Sequence, residues 1–347
     1  MYSYEAIRDI YVHMQDETSK FIFLKRLKYS LSGENCAIEE IVDREMERYA
    51  LEDMMNRLLV WLQEHSGKIV LFGAGFAGSQ ICSLLRRREI KVECIADNNK
   101  ALWGQERYGI KIISPEKIDK NSLVIIGINS HVKELQKQLL SLGIAEETIF
   151  MLDRQWWIGN HPQYFAPEIA VPGENEIFVD GGSLDGGDGL NFIKWSGGQY
   201  KAVYAFEPDA VNYEKLCHIA EQYQGIKTFQ EGLWNDEGKL CFMAGSRETC
   251  AVCSEGNVMI QVTSIDKKLK GLKPTFIKMD IEGSELEALC GSEETIRKYK
   301  PRLAICVYHK PEDIIDIPQK ILEMNPEYRL YLRHYSYTDT ETVLYAV

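Results

Sequence analysis

The sequence predicts an α/β chain built from two open, mostly parallel sheets behind a helical N-terminal segment. Three observations carry this reading. From Ile69 onward, short apolar runs alternate with helical stretches, the pattern of successive βαβ units. Two of those runs end in glycine-rich turns that open a helix, Gly73-Ala-Gly-Phe-Ala-Gly78 and Gly181-Gly-Ser-Leu-Asp-Gly-Gly187. The last two runs, Tyr328 to Tyr335 and Thr342 to Val347, alternate in polarity and are joined by Ser336-Tyr-Thr-Asp-Thr340, so the second sheet finishes in a β-hairpin.

At 347 residues, 45% hydrophobic and 27% charged, the chain can bury two cores. No uncharged apolar run reaches the roughly 18 residues of a membrane span, and Met1-Tyr-Ser-Tyr-Glu-Ala-Ile-Arg does not read as a signal peptide, so a cytoplasmic location is expected. A net charge of −12 opposes nonspecific binding to nucleic acid or to an anionic membrane, since the long-range field repels both. The nine cysteines are scattered, as in a reduced protein. Cys250-Ala-Val-Cys253 is the one close pair, and with no second such cluster to complete a tetrahedral set, no zinc site is expected.

Each element follows from its residues. Residues 1–66 lack proline and repeat apolar positions at helical spacing (Ile38, Ile41, Leu58, Leu62), giving an α-helical segment that packs on the next domain or on another copy of the chain. Residues 67–153 read as strand Ile69 to Phe72, glycine turn, helix Phe76 to Arg88 and strand Val92 to Ala96. They continue through a short strand near Ile110, strand Leu123 to Ile128, helix Val132 to Leu142 and a strand near Ile149. This is a small Rossmann-like unit. Residues 154–175, with Trp156, Trp157, Pro162, Pro167 and Pro172, form an irregular linker. The second unit, 176–347, has strands Ile177 to Val179, Ala202 to Phe206, Lys227 to Glu231, Phe276 to Met279 and Leu303 to Tyr308 before its hairpin.

In the first unit, Gly73, Gly75 and Gly78 complete a G-x-G-x-x-G motif, and Asp97 ends the following strand. Glycines there permit close backbone approach to a phosphate at a helix N-terminus, and an Asp can take ribose hydroxyls. This makes a second site for a nucleotide or nucleotide-sugar. The unit is about one mononucleotide-binding half, and no nicotinamide-facing half follows. It resembles the small Rossmann-like domains that precede transferases and epimerases in sugar-modifying proteins.

In the second unit, Asp180, Gly182 and Gly186 follow the first strand, where a bare backbone can approach a ligand and a carboxylate can orient an ammonium. Glu207 closes the second strand and can bind both hydroxyls of a ribose. Leu233 and Trp234 follow the third strand and can flank an adenine or serve as core. Asp280, Glu282 and Glu285 cluster after the fourth strand, and His309 follows the fifth on the same sheet edge. In an open parallel sheet that edge is where ligands bind. The order of glycine turn, strand-end Glu and strand-end Asp points to a nucleoside-bearing cofactor, S-adenosyl-L-methionine rather than NAD.

Phe178-Val-Asp-Gly-Gly, Ala205-Phe-Glu-Pro-Asp, Thr263-Ser-Ile-Asp and Lys278-Met-Asp-Ile-Glu-Gly-Ser-Glu285 resemble the FkbM family of methyltransferases, over roughly residues 176–347. The first motif departs from the family's D-x-G-A-N-x-G in having Ser183 and Leu184. The resemblance implies a class I methyltransferase sheet, S-adenosyl-L-methionine as donor, and O-methylation of a hydroxyl on a sugar, glycan precursor or other small metabolite. A hydroxyl acceptor needs its proton removed. His309 beside Asp280 is placed for that, or is a structural histidine, and no metal is expected. Arg333 or His334 on the hairpin can face the acceptor. The alternatives are an NAD-dependent oxidoreductase or epimerase-like enzyme using the Gly73–Gly78 turn, and a non-catalytic nucleotide-sugar-binding protein. The N-terminal helices also offer a surface for a homo-oligomer.

Overall fold

The computed structural model describes residues 2–45, 52–128, 131–151, 163–243 and 258–347. Cys250 and Cys253 lie outside these residues, as do Trp156, Trp157 and Pro162 of the linker. The chain forms two compact units: residues 1–38, 162–335 and 339–347 make the larger, and residues 39–161 with 336–338 the smaller. Among the described residues, four helices precede the first strand: α1 (Tyr4–His13), α2 (Glu17–Ser32), α3 (Cys36–Glu45) and α4 (Glu52–Glu64). Side-chain caps start the first two, Ser3 accepting from the Ala6 N–H and Asp16 from the Ser19 N–H.

In the smaller unit, β1 (Ile69–Phe72), β2 (Val92–Ala96), β3 (Glu106–Arg107), β4 (Ile110–Ile113), β5 (Leu123–Ile126) and β6 (Ile149–Met151) form one sheet in the order β3-β4-β2-β1-β5-β6. β3 runs antiparallel to β4, and the other pairs are parallel. Helix α5 (Phe76–Arg87) follows β1 and α6 (Val132–Ser141) follows β5. All four residues of β5 are buried, which is why it reads as an unbroken apolar run. Val70, Phe72, Val124, Ile126, Leu135 and Leu139 form one core beneath α6. α4 belongs to this unit too: the Trp61 indole donates to the Glu147 carbonyl at 3.1 Å and lies 5.3 Å from the Phe150 ring.

The larger unit holds β7 (Glu176–Gly181), β8 (Tyr200–Phe206), β9 (Ile226–Phe229), β10 (Gly232–Leu233), β11 (Gly238–Phe242), β12 (Val258–Thr263), β13 (Phe276–Met279), β14 (Arg302–Cys306), β15 (Leu330–His334) and β16 (Thr342–Ala346). Seven of these form a sheet in the order β15-β16-β14-β13-β7-β8-β9. The run from β14 to β9 pairs in parallel, and β16 runs antiparallel between β14 and β15, closing the expected hairpin. The helices are α7 (Gly187–Trp195), α8 (Ala210–Ala220), α9 (Ile265–Lys268), α10 (Glu285–Cys290), α11 (Glu293–Tyr299) and α12 (Asp313–Met324). A second sheet, β10-β12-β11, is absent from the sequence reading. Its strands bury only Leu233, Phe242, Ile260, Val262 and Thr263, too few positions to give a clear alternating signal.

The fold corrects two expectations. The helical segment 1–66, expected to pack on the next domain or on another copy, is divided: α1 and α2 pack on the larger unit while α4 packs in the smaller. Met14 bridges to Leu330, the Gln15 N–H donates to the Leu330 carbonyl at 3.0 Å, and the Leu332 N–H donates to Ser19 Oγ at 2.9 Å. The segment therefore covers the outer edge of β15, where unpaired backbone groups would otherwise stand exposed. Residues 163–175 are core rather than spacer. Phe165 sits against Phe178, Phe192, Trp195 and Phe276 with ring centroids 5.4 to 6.0 Å away. Phe165→Ala should therefore lower the stability of the larger unit by about 3–5 kcal/mol, read from urea unfolding of the full chain by the fluorescence of neighbouring Trp195. A loss below about 1 kcal/mol, the range of surface changes, would contradict this packing.

Candidate functional site

The site forms where β7, β8, β13 and β14 end on one sheet edge. Lys278 and Asp180 are register partners on neighbouring strands. Both side chains are buried, with Lys278 Nζ 3.1 Å from Asp180 Oδ1, 3.0 Å from Asp188 Oδ2 and donating to the Gly182 carbonyl at 2.9 Å. Burial opposes a charge on Lys278, but the Asp180 and Asp188 carboxylates outweigh it and hold the ammonium well above the ordinary lysine range. Burial pushes Asp180 the other way, toward the neutral acid, and Lys278 opposes that. With two carboxylates and a carbonyl around one ammonium, the charged lysine is the state that satisfies the most neighbours.

That anchor sets the turn. Gly182 has φ +76°, and a Cβ there would fall 1.9 Å from the Asp280 carbonyl, so only glycine fits. Gly186 is the N-cap of α7, and Leu184 presents its N–H to Glu207 Oε2 at 2.9 Å. Glu207 Oε1 takes the Asp209 N–H, also at 2.9 Å. Burial raises Glu207 to about 7 despite those two donors. Each of its oxygens retains a second lone pair for a hydroxyl.

The second half of the site surrounds Asp280. Its Oδ2 accepts from the Tyr164 hydroxyl at 2.8 Å and its Oδ1 from the Tyr308 hydroxyl at 3.2 Å. Burial alone would lift Asp280, yet Lys278 and His309 hold its carboxyl below the usual range. His309 lies between carboxylates, with Nδ1 3.0 Å from Glu285 Oε1 and Nε2 3.4 Å from Asp280 Oδ1 and 3.6 Å from Glu282 Oε2. Burial would lower its pKa, but those three carboxylates raise it to about 9. Glu341, from the hairpin, accepts from Tyr308 at 3.4 Å, and burial with Asp280 nearby raises it to about 7. Ligand atoms of Asp280, Glu285 and His309 lie within 4.8 Å of one another, close enough to share a cation. The imidazolium between the carboxylates supplies the same positive charge without one.

The structure thus brings together Asp180, Gly182, Gly186, Glu207, Asp280 and His309. It places three expected residues elsewhere. Trp234 packs against Phe242, Ile260 and Val262 of the small sheet, while Leu233 is the residue beside the turn, its Cδ1 2.8 Å from where a Gly181 Cβ would be. Arg333 does not face the site: it pairs with Asp16 at 2.8 Å and Glu168 at 3.2 Å, because the edge it occupies is covered by α2. His334 is buried with Nδ1 2.8 Å from Thr342 Oγ1. The sequence reading missed Tyr164 and Glu341, whose partners are 116 and 33 residues away. It also missed the role of Lys278, although a lysine in the apolar run Phe276-Ile-Lys-Met279 was a visible signal.

In the smaller unit, the glycine motif is occupied by the fold itself. A Cβ on Gly73 (φ +114°) would meet the Gly127 carbonyl at 2.7 Å, and one on Gly78 would meet the Gly73 carbonyl at 2.1 Å. Gly75 caps α5, and Asp97 accepts from the Ala74 and Asn99 N–H groups at 2.8 and 2.7 Å. A cavity of about 210 Å³ lies beside Gly73, Asp97, Asn98 and Gln138. Typical ligand pockets run from about 300 Å³ upward, so it is small for a dinucleotide.

Comparisons with known proteins agree with the motifs. Residues 180–338 match the methyltransferase FkbM domain, and residues 65–150 match the C2185-like N-terminal domain. A hexuronic acid methyltransferase, AglP of Haloferax volcanii, is 27% identical over 128 residues, covering 35% of this chain and 53% of that protein. The chain therefore spans about half the length of that relative. Among solved structures, an FkbM methyltransferase from Methylobacillus flagellatus is 21% identical, with 82% of this chain and 90% of that one covered and a TM-score of 0.46. Aeropyrum pernix fibrillarin, solved with S-adenosyl-L-methionine, is 12% identical, with 51% and 68% covered and a TM-score of 0.34.

The anchor is testable by stability. Lys278→Met should cost about 3–5 kcal/mol by leaving buried carboxylates unpaired, and adding Asp180→Asn should recover part of it. A double variant no more stable than the single would show that the charges are not coupled.

Proposed function

We propose that this chain is an S-adenosyl-L-methionine-dependent methyltransferase acting on a hydroxyl of a sugar, glycan precursor or other small metabolite. The observation that carries the reading is the Glu285–His309–Asp280 arrangement, set beside the Gly182 turn and Glu207 within the region that matches the FkbM domain. The residues suit the donor. Glu207 offers lone pairs for a ribose diol, and Glu207 and Asp280 supply negative charge for a cationic sulfonium and ammonium. When bound, the donor supplies an electrophilic methyl that an acceptor oxygen displaces in line.

This chain's residues then have distinct tasks. Glu285 is fully buried, and its Oε1 accepts from the Ile281 N–H at 2.8 Å, so it is a fixed support for His309 Nδ1. That leaves Nε2 on the side of Asp280, where the neutral imidazole takes the acceptor hydroxyl's proton. Asp280, held by Tyr164 and Tyr308, stabilises the imidazolium that results. The smaller unit is proposed to bind a ligand of nucleoside or monosaccharide size in its cavity, which an NAD-dependent reading does not fit.

Isothermal titration should show S-adenosylhomocysteine binding to the full chain, weakened about 10- to 100-fold by Glu207→Ala. Wild-type protein that fails to bind it, or that binds NAD in its place, would remove the reading. For the chemical step, the base must be neutral and its pKa is raised to about 9. Turnover should therefore climb about tenfold per pH unit and level off near that value. His309→Asn should lose about 10²- to 10⁴-fold in kcat with little change in donor affinity. A rate that stays flat from the ordinary histidine pKa, about 6.5, up to the raised value would assign the proton to another group.

A further inference from the structure

The charge around His309 says what kind of acceptor fits, an inference that rests on the methyltransferase reading. Four carboxylates, Asp280, Glu282, Glu285 and Glu341, gather around one imidazole and two tyrosine hydroxyls. A fifth, Asp313, lies next to them, its Oδ2 accepting from the Lys310 N–H at 2.7 Å. The lysine on β13 holds Asp280 down but balances the group only in part, because its one ammonium is also shared by Asp180 and Asp188.

A second observation is independent of that count. The His309 side chain is 9% exposed and Glu285 is fully buried, yet both imidazole nitrogens and Glu285 Oε2 lack a hydrogen-bond partner. Their neighbours are close but not aligned for hydrogen bonding. Buried polar atoms of this kind ordinarily have a partner. With the neutral imidazole's proton on Nδ1 beside Glu285, Nε2 is left as an acceptor next to Asp280 and Glu282, and a donor group brought in with the acceptor would complete it.

We propose that the site takes an acceptor with a positive charge close to its reacting hydroxyl, an amino sugar or amino alcohol in chemistry, and rejects an acceptor carrying a carboxylate there. An ammonium would give Glu282 and Glu341 the counter-charge the fold does not provide, whereas a uronate would add another negative group to a site that holds too many. Burial and mutual repulsion already lift Glu282 and Glu341 above their ordinary values. A bound cation would also pull the imidazole's pKa down, making His309 a competent base nearer neutral pH. The donor's own charge does not remove the need, since Glu207 and Asp280 serve it, leaving Glu282 and Glu341.

The test uses the full chain saturated with S-adenosylhomocysteine and titrated with glucosamine, glucose and glucuronate at millimolar concentrations. Glucosamine should bind at least about tenfold tighter than glucuronate. Added salt should narrow that gap, and Glu341→Gln and Glu282→Gln should narrow it further. Equal or tighter binding of glucuronate, or no binding of glucosamine, overturns the proposal. If S-adenosylhomocysteine itself fails to bind, the methyltransferase reading is what fails. Donor binding without acceptor preference sinks only the charge inference.

Discussion

One buried ammonium organises the larger unit. Lys278 reaches from β13 to Asp180 on β7, to the carbonyl of Gly182 in the turn, and to Asp188 in the first turn of α7. An uncompensated charge in such a place would cost several kcal/mol, so the lysine and its oxygen partners must be present together. That mutual requirement is what aligns the strand end, the turn and the helix start. The Asp188 carboxylate near the α7 N-terminus also meets a favourable helix dipole.

The chemistry around it follows from environment rather than residue type. Asp280, next to Lys278 and His309, is held as a carboxylate, while Glu207 and Glu341, buried with less positive charge, rise to about 7. Acidic side chains at one sheet edge therefore differ in proton affinity, and burial and neighbouring charge set the difference. Tyr164 adds a physical link, donating to Asp280 while its ring lies 5.1 Å from the Lys278 ammonium.

The smaller unit shows why a regular motif can be a weaker guide than an irregular one. Gly73 and Gly78 are needed because the backbones of the turn, of Gly127 and of α5 approach too closely for a side chain. Asp97 accepts one N–H from the turn, at Ala74, and one from Asn99 just beyond its own strand. The same residues that would approach a phosphate are thus explained by the fold. In the larger unit, Glu207 and Asp280 sit on either side of a comparable turn and retain chemistry of their own.

The βαβ order of the smaller unit, the main parallel strands of the larger, the closing hairpin, and the placement of Asp180, Glu207, Asp280 and His309 on one sheet edge were legible in the sequence. Those features are local: apolar periodicity, glycine turns and strand ends are written in consecutive residues. Three-dimensional packing was needed to see that α1 and α2 cover the edge of β15, that Arg333 serves them and not the site, and that Trp234 packs in a small second sheet. The same packing joined Tyr164 to Asp280 and Glu341 to Tyr308, and set Glu285 behind His309. Such pairings link residues distant in the chain or depend on which way a loop side chain turns, and both are settled by packing and charge compensation once the sheet has formed.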